Sequence, residues 1–89
     1  MIQEKVTIIN KLGLHARAAA KFVSTSARFS SMVKVSKGPQ QVDGKSIMAV
    51  MMLAASKGTE LELLIDGPDE TEAFDAIRML IEDYFGEGE

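Results

Sequence analysis

Cysteine is absent from the 89 residues, so neither a disulfide nor a thiolate zinc site can staple the fold, and packing must hold it. Tryptophan is also absent, and the aromatics are one tyrosine and four phenylalanines. That is sparse for the base-stacking surfaces of nucleic-acid binders. Strong positive charge is missing too: the formal net charge is −3 and the ten Lys and Arg residues are dispersed, which argues against phosphate-backbone affinity. No apolar run approaches the roughly 20 residues needed to cross a bilayer, the longest being Ile47 to Ala55. The opening MIQEKVTIIN carries an early glutamate and alternates polar with apolar residues, unlike a signal peptide. These absences leave a soluble cytoplasmic protein as the expectation, with residues 1–89 forming one domain.

What is present is periodic. Ile2, Val6 and Ile8 alternate with Gln3, Lys5 and Thr7, predicting a strand with one wet face; Glu4 breaks the apolar parity and places its start near an edge or an end. Asn10 to Gly13 reads as a loop. From Ala16 to about Arg28 the alanines favour helix, with Ala19, Phe22, Val23 and Ser26 on one face. MVKVSK (from Met32) and QQVD (from Gln40), parted by Gly38-Pro39, predict a hairpin. Ser46 opens a helix that runs through SIMAVMMLAAS to Gly58, with Val50, Leu53 and Ala54 on its core side. ELELLID, from Glu60 to Asp66, is the cleanest strand. Asp69 with Glu72 suggests a capping-box start for a last helix. Ala73, Phe74, Ile77, Leu80, Ile81 and Tyr84 form its apolar stripe, and Gly86 ends it. The order β-α-β-β-α-β-α, with one apolar face per element, predicts an α+β two-layer fold, an antiparallel sheet covered by helices on one side.

The only histidine lies in GLHARAAAKF, at the expected helix start. The first turn of a helix offers backbone N–H groups without intrahelical partners and the positive end of the dipole. A phosphoryl group on the His15 ring would lie over the amides of Ala16 and Arg17, with the Arg17 guanidinium adding charge-assisted bonds. Gly13 permits close approach of the chain just before. A neutral imidazole is nucleophilic near neutral pH. No Walker-type loop, Cys–His pair, second histidine or metal-ligand spacing accompanies it, so no metal or cofactor is expected. The spacing alone also suits the commoner alternative, in which His15 caps the helix and Arg17 sits on the surface.

Ser46 suits an N-cap, and every residue from Ile47 to Leu53 is apolar. A short helix in so small a domain is either buried on both sides or leaves Ile47, Met48 and Met51 as an exposed patch. Methionine adapts to differently shaped partners. A phosphate on Ser46 would suit the helix start and set negative charge beside that patch.

GLHARAAAKF and GKSIMAVMMLAA, about thirty residues apart, together resemble HPr, the histidine-containing phosphocarrier family of the bacterial phosphoenolpyruvate-dependent phosphotransferase system. The resemblance extends through KGTELELLIDGPDE to the last helix. It implies an open-faced sandwich of four antiparallel strands with three helices on one face. It further implies that His15 accepts a phosphoryl group at Nδ1 from phosphorylated Enzyme I and donates it to a histidine of an Enzyme II A-type domain or regulatory protein. Arg17 matches the family's phosphate-stabilising arginine and Ser46 the serine phosphorylated by HPr kinase/phosphorylase. Ala16, Arg17, Ala20, Ile47, Met48 and Met51 map to the partner-docking face. The implied protein is a stoichiometric carrier rather than an enzyme, working naturally as a monomer. Ala18 stands where many members have proline, and Ser24, Ala27 and Ala49 are uncharged where some carry lysine. Two other readings are a regulatory binding module that uses the same face without histidine chemistry, and a small nucleic-acid-binding domain, which the acidic charge disfavours.

Overall fold

The computed structural model describes residues 1–88. Its strands are β1 (Ile2–Thr7), β2 (Met32–Lys37), β3 (Gln40–Asp43) and β4 (Glu60–Asp66). Its helices are α1 (Ala16–Ala27), α2 (Ile47–Met52) and α3 (Glu70–Glu82), followed by a 3₁₀ turn, Tyr84–Gly86. All strand pairs are antiparallel and the sheet order is β1-β4-β2-β3.

β4 sits between two neighbours because its sequence suits a central strand. Leu61, Leu63 and Ile65 point to the helices and are buried, while Glu60, Glu62 and Leu64 take the other parity. Val33 and Val35 of β2 join the same buried layer, opposite Ile65 and Leu63 in register. β1 is an edge strand, as Glu4 suggested: it shares the inward parity of Ile2 and Val6 yet remains exposed. From the helices come Ala18, Ala19 and Phe22 of α1, Val50 of α2, and Ala73, Ile77 and Ile81 of α3. At about 1.5–3 kcal/mol for each large aliphatic or aromatic side chain removed from water, this one cluster supplies the main driving force.

Several local expectations need correction. α2 ends at Met52, well before Gly58, because Ala54 turns into the left-handed region at φ 51°. Ala54 is therefore exposed rather than on the core side, and Ala55 is buried in its place, while Val50 and Leu53 are buried as expected. Asp69 does occupy the N-cap of α3, but its side chain makes no cap bond. Its carboxylate accepts from the Ser30 and Ser31 amides, each at 2.9 Å, and from the Ser31 hydroxyl, so it ties the α1–β2 loop to α3. The Ser31 hydroxyl, then the Ser30 amide, hold the Asp69 carboxyl below the ordinary aspartate range against the opposing effect of burial. Tyr84 leaves the apolar stripe of α3 and is exposed. Phe85 takes the buried place, because the chain reverses after Asp83.

Candidate functional site

The loop before α1 is built from its own backbone. The Gly13 amide donates to the Asn10 carbonyl at 3.2 Å, and Asn10 Nδ2 returns a bond to the Gly13 carbonyl at 2.8 Å. The next amide, Leu14, reaches across to the Ala55 carbonyl at 2.8 Å. Gly13 has φ 67°, and a Cβ there would lie 2.4 Å from the Ala55 carbonyl oxygen. Glycine is thus required twice over, for conformation and for space. This close approach fixes the His15 loop against the segment that follows α2.

His15 is the N-cap of α1, in extended conformation at φ −71° and ψ 177°. Its carbonyl accepts from the Ala19 amide at 2.8 Å and starts the helical ladder. Its ring Nδ1 accepts from the Arg17 amide at 3.3 Å. The capping role and the anion-site geometry are therefore one arrangement, since a group on Nδ1 would meet that same amide. Because a backbone N–H only donates, Nδ1 must present its lone pair, which puts the ring proton on Nε2.

Nε2 faces the carboxylate of Glu87. The other Glu87 oxygen accepts from Asn10 Nδ2 at 3.0 Å. Burial works to raise the Glu87 carboxyl, but the hydrogen bonds from His15 and Asn10, with the Lys21 charge, outweigh it and leave it below the ordinary glutamate range. The His15 side chain retains 27% of its accessibility and that of Glu87 11%, so the pair is partly shielded yet reachable.

Arg17 is exposed, and its guanidinium makes no hydrogen bond or ion pair among the described residues. It lines a depression of about 360 Å³ together with Leu12, Lys21, Gly86 and Glu87. Ala16 is exposed, Ala20 half-buried, and Ala18 fully buried against the core.

Ser46 is the half-buried N-cap of α2, its hydroxyl accepting from the Ala49 amide at 3.3 Å. The choice between a sandwiched helix and an exposed patch falls to the patch. Val50 is buried, whereas Ile47, Met48 and Met51 keep 40%, 68% and 39% of their accessibility. α2 packs against α1, so the site residues of the two segments belong to one helical layer.

Sequence reasoning missed Glu87, Asn10 and Lys21. The only signal was Gly86 and Gly88 after the last helix, both at positive φ, which mark a chain reversal without saying what it contacts.

Among the described residues no helix is long and apolar enough to cross a membrane. A family model described as the PTS HPr component phosphorylation site matches residues 2–83. The phosphocarrier protein HPr of Cupriavidus necator is 58% identical over 89 residues, covering all of both chains. A crystal structure of HPr-C-His from Thermoanaerobacter tengcongensis superposes with a TM-score of 0.94 at 47% identity, covering 98% of each chain. An HPr dimer from the same organism gives 0.79 at 47% identity, over 98% of this chain and 100% of that one. Both sequence and fold therefore place the chain in the HPr family of the phosphotransferase system.

Proposed function

We propose that this protein carries a phosphoryl group on His15 Nδ1, received from phosphorylated Enzyme I and passed to a histidine of an Enzyme II A-type domain or a related regulatory protein. The observation that carries the reading is the Arg17 amide directed at Nδ1 of a partly exposed ring. In acceptance, the Nδ1 lone pair forms the new N–P bond as the donor's N–P bond breaks and its electron pair returns to the donor nitrogen. The incoming oxygens lie within reach of the first-turn amides, Ala16 and Arg17, and the unpaired Arg17 guanidinium supplies positive charge. The chain acts as a stoichiometric carrier in the cytoplasm, with one copy as the working unit.

Ile47, Met48 and Met51, with Ala16, Arg17 and Ala20, form the docking face; exposed methionines suit successive partners of different shape. Ser46 serves as a regulatory site for HPr kinase/phosphorylase. A phosphate there is favourable at the helix start and unfavourable to an apolar partner, so it hinders docking without unfolding α2.

Incubation with Enzyme I and phosphoenolpyruvate should yield an acid-labile, base-stable phosphate that His15→Ala abolishes. Equal labelling of that variant would remove the reading. A chain that binds Enzyme I but takes no label would instead be a binding module using the same face.

A further inference from the structure

The contact on the far side of the His15 ring is supplied by a built device. After α3 the chain turns through Tyr84, Phe85 and Gly86 at φ 56°, 53° and 75°. Two successive non-glycine residues in the left-handed region are costly and need something to hold them. Two things do: the Phe85 side chain is fully buried in the core, and its carbonyl accepts from Lys21 Nζ of α1 at 2.6 Å. The turn delivers Glu87 to His15, which is 72 residues away in sequence. Asn10 holds one carboxylate oxygen, leaving the other for Nε2. The chain of contacts runs Asn10, Glu87, His15, Arg17 amide, so the reacting lone pair is the one at Nδ1, which gives up the Arg17 amide as the N–P bond forms and frees that amide for a phosphoryl oxygen.

We propose that Glu87 is a positioning residue for phosphoryl transfer: its carboxylate holds the proton on Nε2, fixes the ring plane, and balances the positive charge that the ring gains when Nδ1 bonds to phosphorus. This rests on the carrier reading above. The proton stays on Nε2 throughout; the N–P bond made at Nδ1 replaces the one broken in the donor, and onward transfer returns the pair to Nδ1. A carboxylate behind a nucleophilic or basic imidazole acts through orientation and charge, and charged hydrogen bonds are the stronger ones. Since the ring is partly open to water, removal should slow acceptance about tenfold, the low end of what a charge-assisted bond supplies.

The experiment uses the full chain with its single histidine ring isotopically labelled, so that one Nε2–H signal has one assignment. In the wild type that proton should be visible and slow to exchange at neutral pH. Glu87→Ala should lose it and accept phosphoryl about tenfold more slowly from phospho-Enzyme I, with a lower urea midpoint at neutral pH because a carboxyl held below its ordinary range stabilises the fold there. Glu87→Gln, which keeps an acceptor oxygen but not the charge, should recover the ring signal and only part of the rate. An Nε2–H signal in Glu87→Ala as protected as in the wild type, or wild-type acceptance by that variant, overturns the role of Glu87 alone. A wild-type chain that accepts no phosphoryl group overturns the carrier reading and this role with it.

Discussion

Phe85→Ala separates the turn from the core while leaving Glu87 in the sequence. Phe85 is fully buried although it lies beyond the last α-helix and at φ 53°. A buried phenylalanine removes about 150–250 Å² from water. At about 25 cal/mol per Å² that is roughly 4–6 kcal/mol as an upper bound, of which alanine keeps a part. Alanine at the same left-handed φ carries a similar backbone cost, so that contribution cancels. The expected loss is about 3 kcal/mol, at the lower end of measured Phe-to-Ala substitutions. For a domain of this size it should lower the melting temperature by about 12–24 °C. Urea and thermal unfolding measure the loss directly. The labelled His15 ring provides the second readout: with the turn released, Glu87 is no longer delivered and the protected Nε2–H signal should disappear. A loss below about 1 kcal/mol, typical of an average substitution rather than a core cavity, would refute the docked turn. Full destabilisation with the ring signal intact would show that Glu87 reaches His15 without it.

Gly13→Ala should cost about 3 kcal/mol or more, because φ 67° and a Cβ at 2.4 Å from the Ala55 carbonyl oxygen leave no relaxed position; a urea midpoint near wild type would contradict that geometry. Asp69 has a folded-state pKa below its unfolded value of about 3.9, so its stabilising contribution is complete above that value and fades as pH falls through the lower folded one. The stability gap between wild type and Asp69→Asn should therefore be widest near neutral pH and close on acidification, and a gap that grows below about pH 4 would reverse the assigned sign. Ser46→Asp keeps an equally good cap, so its stability should stay within about 0.5 kcal/mol of wild type while transfer from Enzyme I slows. Unchanged transfer in a correctly folded Ser46→Asp variant would remove the regulatory role assigned to Ser46.

The sheet and the first half of the site were legible in the sequence because they rest on local rules. Leu61, Leu63 and Ile65 alternate with Glu60, Glu62 and the half-buried Leu64, and a strand sends alternate side chains to opposite faces. His15 before an alanine-rich run implied a cap with free amides, and backbone geometry then required the Arg17 amide to meet Nδ1. Helix propensity alone overran α2, since Met51 to Ala55 are all good helix formers; the Leu14–Ala55 bond and the left-handed Ala54 set the actual end. Asp69 was placed correctly as a cap position, but its partners, Ser30 and Ser31, are brought to it by the packing of α3 against the sheet.

By itself the sequence determined the alternation of strands and helices, the open ring at a helix start and the apolar run after Ser46, because each depends on neighbours within a few residues. Tertiary structure alone decided which carboxylate meets the histidine. Glu87 follows a turn whose two left-handed residues are tolerated only because Phe85 is buried and Lys21 holds its carbonyl, and no periodicity along the chain encodes a contact between positions 72 residues apart.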